Sequence, residues 1–281
     1  MTLPGNFDLD DFVDLLLAED LGIGGDVTST ATIPADTRFT AEMNCREPIV
    51  VAGLAIAEAI FRRLDSEVEI ETLCADGDRA EPGTVLMRLT GNARAMLTAE
   101  RSALNILQHL SGIATLTRHY VDAFDGTGAI LLDTRKTVPG LRLLDKYAAR
   151  MGGATNHRLR LDDGLLIKDN HVGIAGDVAE AVRRARSANT GLQIQVEVDR
   201  IAQIEPALEA GAERLLLDNM PPPMLREAVA IVAGRVPLEA SGGVTLETIR
   251  AIAETGVDFI SVGRITQSAP AVDIGLDYAR A

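Results

Sequence analysis

From Ala129 onward, short apolar runs and amphipathic stretches take turns along the chain, and this alternation narrows the possible folds more than any other feature. The runs are Ala129 to Leu132, Leu165 to Ile167, Ile194 to Val198, Arg214 to Leu217 and Phe259 to Val262, with a shorter sixth at Val236 to Leu238. Val178 to Ser187, Ile201 to Ala210, Pro223 to Val232 and Leu246 to Thr255 lie between them with helical periodicity. Strand-helix alternation of this kind predicts a parallel sheet, either a barrel or a doubly wound sheet. A barrel collects its chemistry at the C-terminal ends of many strands, whereas a doubly wound sheet concentrates it at one switch point. Here the polar residues follow six separate runs: Asp133 to Lys136, Lys168 to His171, Glu197, Asp218-Asn219, Ser241 to Gly243 and Gly263-Arg264. The barrel is favoured, and six strands instead of eight make it an open, incomplete α/β barrel.

The first 112 residues read differently. Leu9 to Leu21 has the pattern of a short amphipathic helix stopped at Gly22. Phe39, Ala41 and Met43 alternate with polar neighbours, and further strands are expected at Pro48 to Val51, Val68 to Leu73 and Thr84 to Leu89, with a helix from Gly53 to Leu64 among them. DGDRAEPGTVLMRLTG is similar to half of a biotinyl or lipoyl carrier hammerhead but has no lysine to modify, so this region is a structural α/β sandwich. Arg94 to Phe124 reads as a long helix broken near Gly112. The expected division is a sandwich domain at 1–112, a barrel at 113–270 and a C-terminal segment, 271–281, returning to the first domain.

Composition then excludes several functions. A net charge of -14 argues against general nucleic-acid binding, which needs a basic stripe to neutralise phosphates. No apolar run approaches the length of a membrane span, and the acidic start MTLPGNFDLDDFVDLL lacks the features of an export signal, so a soluble cytoplasmic protein is expected. Cys45 and Cys74 are in no metal-ligand spacing and read as free thiols. Against this acidic background, all three lysines, Lys136, Lys146 and Lys168, fall between Asp133 and His171 with Arg135, Arg142, Arg150, Arg158 and Arg160. An anionic small molecule is the natural partner. Lys146 has helical spacing in LRLLDKYAAR and is expected on the surface.

Ser241-Gly242-Gly243 follows a strand and precedes a helix expected to open near Thr245, and Gly263 supplies a second glycine turn after the next strand. Paired loops after the last two strands are the usual phosphate grip of barrels. Glu197 and Asp218 end neighbouring strands and are expected to face each other across the mouth. There they need a cation, either Mg2+ shared with a pyrophosphate or a Lys or Arg of the barrel itself. Arg135, Lys136, His157, Arg158 and Lys168 form the basic side of the mouth, unless they are a solvated basic face. The guanidinium fork suits substrate carboxylates and the compact ammonium suits phosphate oxygens.

DTRKTVPGLRLLDKYAARMGGATNHRLRLDDGLLIKDNH, VEVD, LLDN, EASGGV and ISVG, in this order, resemble the quinolinate phosphoribosyltransferase family, as do EDLGIGGDVTS and TAERSALNILQHLSGIAT upstream. The resemblance implies an N-terminal α/β sandwich beside an open, seven-strand α/β barrel, assembled as a homodimer or a multiple of dimers. It implies quinolinate and phosphoribosyl pyrophosphate as substrates and Mg2+ as cofactor. Residue by residue, it implies that Arg135, His157, Arg158 and Lys168 hold quinolinate, with Lys136 and Lys168 near phosphoribosyl pyrophosphate and Thr134 among the substrate-binding residues. Glu197 and Asp218 would serve ribose and metal, and Ser241, Gly242, Gly243, Val262, Gly263 and Arg264 the phosphate. Lys136, Lys168, Glu197 and Asp218 are the expected catalytic residues. Arg101 is expected to enter the partner subunit's site by resemblance alone; the helical pattern instead singles out Glu100. The sequence departs from the family at Thr266-Gln267-Ser268, where Gln267 replaces a histidine. Three rivals remain: a related family associated with molybdenum transport, a barrel aldolase or synthase with Lys168 as Schiff-base lysine, and a non-catalytic sensor of phosphorylated ligands.

Overall fold

The computed structural model describes residues 3–5 and 7–279. Met1, Thr2, Asn6, Arg280 and Ala281, which belong to the acidic N-terminal stretch and to the expected segments 1–112 and 271–281, lie outside the described residues. Two units divide the chain: Met1–Arg118 with Leu143–Gly153 and Ser268–Ala281, and His119–Arg142 with Ala154–Gln267. The contiguous division expected from sequence differs in three respects, one being that the C-terminal segment of the first unit begins at Ser268 rather than at 271. The boundary lies six residues later, at 118, and an excursion from the middle of the chain belongs to the first unit.

In the first unit, α1 (Leu9–Leu21) is capped by Asp8, whose Oδ1 accepts from the Asp11 amide at 3.0 Å, and Gly22 at φ 53° ends it. The cap satisfies an amide that the helix leaves without a partner. A short helix, α2 (Val27–Thr32), precedes β1 (Arg38–Cys45), β2 (Ile49–Val50), α3 (Leu54–Leu64), β3 (Glu69–Thr72), β4 (Arg79–Ala80), β5 (Val85–Asn92) and α4 (Ala93–Ala123). In β1 the predicted alternation holds, with Ala41, Met43 and Cys45 fully buried. The C-terminal strand Ile274–Tyr278 pairs antiparallel with β1, which pairs with β5 and, through it, β3. No break occurs in α4 at Gly112. A Cβ there would strike the Pro270 carbonyl oxygen, so the glycine admits a crossing backbone rather than ending the helix.

Lys146 also corrects its expected surface position. It sits in α5 (Arg142–Met151), and Asp145, Lys146 and Tyr147 are all buried there. His109 Nε2 contacts Asp145 Oδ1 at 2.8 Å, and the Tyr147 hydroxyl donates to Asp76 Oδ2 at 2.6 Å. Charged residues enter a core only with partners. A 3.6-residue period locates a face but does not tell which faces are covered.

The second unit holds β6 (Ile130–Leu132), β7 (Leu165–Ile167), β8 (Ile194–Val198), β9 (Arg214–Asp218), β10 (Leu238–Ser241) and β11 (Phe259–Ser261) in one parallel sheet of order β6-β11-β10-β9-β8-β7. Its connecting helices are α6 (Asp169–Ala175), α7 (Val178–Ser187), α8 (Ile204–Ala210), α9 (Pro222–Val232), α10 (Ile249–Ala253) and α11 (Arg264–Gln267). β6 and β7 are the two edges, and Thr155 makes a single parallel bridge to Leu132. Among the described residues the sheet is thus an open barrel of six strands with one bridging residue at the position of a seventh.

Side chains alternate sharply along these strands. Leu215 and Leu217 are fully buried, whereas Arg214, Leu216 and Asp218, one step out of phase, line interior cavities. β10 begins two residues later than its apolar run, because Pro237 has no N–H for a ladder and the strand continues through the polar Glu239 and Ser241.

Candidate active site

The C-terminal ends of the strands surround a cavity of about 640 Å³. Its lining includes Thr134, Lys136, His157, Lys168, Glu197, Asp218, Ser241, Gly242, Gly243, Val262, Gly263 and Arg264, which sequence reading singled out from six different strands. Gln267 lies there too. Arg135 and Arg158 are not among the lining residues; Arg158 borders an adjoining cavity of about 230 Å³, and His157 borders both. Another cavity, of about 540 Å³, opens beside the N-terminal end of β8, the end of a barrel that reads as stability rather than chemistry. Arg101 is exposed on α4 in the first unit, next to the half-buried Glu100, whose carboxyl is pushed up by burial.

Glu197 and Asp218 stand on the adjacent strands β8 and β9, side by side instead of across the mouth. Lys168 Nζ reaches Glu197 Oε2 at 2.9 Å, so a lysine of the barrel already partners one of the two acids. Burial, then the Glu197 charge, raises the Asp218 carboxyl above its usual range, opposed by a 2.6 Å hydrogen bond from Asn219 Nδ2 and by the Lys168 charge. Asn219 adopts φ 54°, a left-handed conformation that asparagine tolerates better than most residues. Among the described residues no group of three or more His, Cys, Asp or Glu could cage a metal. The pair nevertheless fits Mg2+, which commonly binds through one or two carboxylates and completes its shell with water and substrate oxygens.

The end of the cavity where a phosphate is expected is built from turns. Gly242 and Gly243 have φ 93° and 61°, and a Cβ on Gly242 would collide with the Asn219 side chain. The helix expected near Thr245 opens only at Ile249, because Thr245 to Thr248 form a turn closed by the Thr245 amide on Thr248 Oγ1 at 2.9 Å. Backbone N–H groups of the glycine turn, rather than a helix end, are therefore what this loop can offer an anion. After the neighbouring strand β11, Lys136 lies over Gly263, where a Cβ would come within 2.8 Å of its Cδ. Thr266 Oγ1 donates to the Lys136 carbonyl at 2.7 Å and fixes that loop.

The segment carrying His157 and Arg158 is pinned by Asp133, a carboxylate buried at the end of β6. It accepts from Asn156 Nδ2 at 2.5 Å and from the His157 amide at 2.8 Å. Arg158 donates to the Gly164 carbonyl at 2.8 Å. Burial, then the neighbouring Arg135 charge, depresses the Arg158 guanidinium, with Asp163 opposing. Arg135 Nε is buried without a hydrogen-bond partner among the described residues. Two crowded guanidinium groups, one with an idle donor, leave a vacancy of negative charge that an anionic ligand would fill.

Gln195 and Arg214 were missed because they sit inside runs read simply as apolar strands, and Glu239 because it directly follows the run Val236 to Leu238. Each is two residues before, or an even step from, a residue that was singled out: Gln195 before Glu197, Arg214 before Asp218 and Glu239 before Ser241. The period-2 rule puts them on the same interior face.

Cations, paired carboxylates and a glycine turn at the strand ends of an open parallel barrel are the equipment of barrel enzymes that handle phosphorylated anions. Residues 113–277 match the family model described as quinolinate phosphoribosyl transferase, C-terminal domain, and residues 26–111 match that of the N-terminal domain. The chain belongs to the quinolinate phosphoribosyltransferase family. A nicotinate-nucleotide pyrophosphorylase [carboxylating] from Mycobacterium leprae is 46% identical over 272 residues, covering 95% of this chain and 96% of that one. A chloroplastic protein of the same name from Arabidopsis thaliana is 42% identical over 289 residues, covering 96% and 82%. The solved structure of the nicotinate-nucleotide pyrophosphorylase from Francisella tularensis superposes with a TM-score of 0.93 at 39% identity, over 99% of this chain and 100% of that one.

Proposed function

We propose that this enzyme transfers the phosphoribosyl group of phosphoribosyl pyrophosphate to the ring nitrogen of quinolinate and releases the adjacent carboxylate as CO2, giving nicotinate mononucleotide and pyrophosphate for NAD biosynthesis. Among the site's own features, the Arg135–Arg158 pair carries the reading: an unsatisfied donor beside two like charges asks for a carboxylate-rich ligand.

In the reaction, the bond from ribose C1 to the pyrophosphate oxygen breaks through an oxocarbenium-like state, and the pyridine nitrogen forms the new bond to C1. The ring nitrogen is then cationic and stabilises the electron pair that stays on C2 when the carboxylate departs as CO2, and a proton from solvent takes up that pair to form the C2–H bond. No covalent nucleophile is required of the protein. Arg135, His157 and Arg158 orient the two carboxylates of quinolinate. Lys136, with Gly242, Gly243 and Gly263, holds phosphate oxygens, and Glu197 and Asp218 face the ribose. Lys168, tied to Glu197, stands between the two substrates. Catalysis is positioning and fixed electrostatics aimed at the departing charge. Mg2+, held by Glu197 and Asp218 together with substrate oxygens, would neutralise charge on the leaving pyrophosphate.

A homodimer with shared sites is part of the proposal, supported by the exposed cation Arg101. A cytoplasmic setting is supported by two free cysteines and, among the described residues, by the absence of a helix long and apolar enough to cross a membrane. Incubation with quinolinate, phosphoribosyl pyrophosphate and Mg2+ should yield nicotinate mononucleotide, CO2 and pyrophosphate in equal amounts. Absence of product, or borohydride trapping of a substrate on Lys168, would transfer the chain to one of its rivals.

A further inference from the structure

Beneath the strand ends, the interior of the barrel holds a layer that is polar where barrels usually pack branched apolar side chains. Its centre is Glu239, 1% exposed on β10. Glu239 Oε2 accepts from Gln195 Nε2 on β8 at 2.7 Å and from an Arg214 terminal nitrogen on β9 at 2.7 Å. Arg214 is itself fixed by its guanidinium carbon lying 4.0 Å from the centre of the Phe259 ring on β11. A third group approaches the same oxygen from the loop above: His157 Nε2, at 3.4 Å. That separation is an electrostatic contact rather than a short hydrogen bond.

The other nitrogen of the ring settles its tautomer. His157 Nδ1 accepts from the Arg158 backbone amide at 2.7 Å, so it carries no proton, and the neutral ring must carry its proton on Nε2, facing Glu239. A chain of contacts therefore runs from a buried carboxylate, through one imidazole, to the backbone of the arginine beside it. Burial pushes the Glu239 carboxyl up, but the His157 contact, the Arg214 charge and the Ser261 hydroxyl together outweigh it and keep the group below the usual carboxylate range.

We propose that Glu239 is a positioning residue for recognition of the pyridine dicarboxylate: held by Arg214 and Gln195, it fixes the orientation and tautomer of His157 and, through the Nδ1 contact, the placement of Arg158. This rests on the reading of His157 and Arg158 as quinolinate contacts. An ionic layer of this kind adds little to stability that well-packed apolar residues of the same volume would not supply. Its link to Arg158 is His157, which borders both the 640 Å³ cavity, where Glu239 also lies at the floor, and the 230 Å³ cavity that Arg214 and Gln195 line. No hydrogen bond or ion pair among the described residues joins Glu239 to Glu197 or Asp218, so its effect is expected on the side of the site that His157 and Arg158 form.

Steady-state kinetics of Glu239→Gln, with both substrates varied, is the test. Glutamine can place its carbonyl oxygen among the three donors but removes the charge that holds the imidazole. The KM for quinolinate should rise at least tenfold while the KM for phosphoribosyl pyrophosphate stays within about twofold. Unchanged KM values, an equal rise in both, or a lower melting temperature as the sole effect would overturn the proposal. His157→Ala serves as the control: if it leaves the quinolinate KM unaltered, the substrate contact itself is misassigned, whereas a large effect there with none in Glu239→Gln sinks the positioning role alone. Should Glu239→Gln fail to fold, 15N NMR of histidine-labelled wild-type protein decides, since four histidines are readily assigned with the His157→Ala spectrum. A neutral His157 protonated on Nε2 is expected; protonation on Nδ1 would overturn the proposal.

Discussion

Lys168 Nζ lies 2.9 Å from Glu197 Oε2, an ammonium just past β7 tied to a carboxylate at the end of the neighbouring β8. The carboxylate side chain is 10% exposed and the lysine 49%, so the acid is the fixed partner and the lysine the adaptable one. When two anionic substrates arrive, the same ammonium has three hydrogens to share among their oxygens and Glu197.

Lys168→Arg keeps the charge but replaces a compact ammonium by a planar fork that cannot serve oxygens converging from several directions. Its kcat/KM should fall more than tenfold, a loss of about 1.4 kcal/mol in transition-state stabilisation. Kinetics close to those of the wild type would remove Lys168 from the space between the substrates.

The upper rim of this site was legible in the sequence because strand ends punctuate apolar runs with residues that have no business in a core. Thr134, Lys136, Lys168, Glu197, Asp218 and the two glycine turns all stood out in this way, and all line one cavity. The layer below was not legible. Gln195, Arg214 and Glu239 interrupt strands by single residues, and only the pairing of neighbouring strands shows that their side chains converge on one oxygen. Lys146 was misread for the opposite reason: its helix is amphipathic by period, yet its polar residues Asp145 and Lys146 are covered. The expected break at Gly112 failed because glycine can admit a close backbone as well as end a helix, and the partner, Pro270, is distant in sequence. Local rules see neither kind of long-range neighbour.

Tyr147 offers a pH test in the first unit. Burial, then its hydrogen bond to Asp76 and the Asp76 charge, pushes the phenol well above its ordinary value. The unfolded chain releases this proton near pH 10, whereas the folded chain holds it longer. Above that pH the unfolded state binds fewer protons than the folded one, so stability falls as pH rises, by at most about 1.4 kcal/mol per pH unit from this group. Tyr147→Phe should be less stable at pH 8 by about 1 kcal/mol, through loss of one hydrogen bond. Asp76 would still accept from the Gly53 and Leu54 amides at 2.9 and 3.1 Å. The difference between variant and wild type should shrink between pH 9 and 11 in urea titrations. A constant difference would mean that the phenol titrates normally.

Shared sites make a quantitative prediction. If Arg101 of one protomer completes the site of its partner, Arg101→Ala and Arg158→Ala proteins are each nearly inactive alone. After subunit exchange, half of the dimers are hybrids with one intact site each, so an equimolar mixture should recover about a quarter of wild-type activity. No recovery, with exchange verified by native mass spectrometry, would place Arg101 outside the partner's site.

Discrimination between quinolinate and nicotinate tests the dicarboxylate pocket most directly. The two acids differ only by the carboxylate next to the ring nitrogen. Arg135 and Arg158 lie near enough for one charge to depress the other's guanidinium, and Arg135 Nε is buried without a partner among the described residues. Quinolinate supplies two anionic groups to this cluster, while nicotinate leaves part of it uncompensated, at a cost of several kcal/mol for an unpaired buried charge. Nicotinate should therefore be turned over at least a hundredfold less efficiently, a difference of about 2.7 kcal/mol in transition-state binding. The carboxylate that nicotinate lacks is also the one lost as CO2, so quinolinate alone makes use of the cationic ring nitrogen once the new bond to ribose has formed. Competition kinetics with both acids, at fixed phosphoribosyl pyrophosphate and Mg2+, separates the outcomes. Comparable efficiency for the two acids would show that the guanidinium pair does not read the second carboxylate.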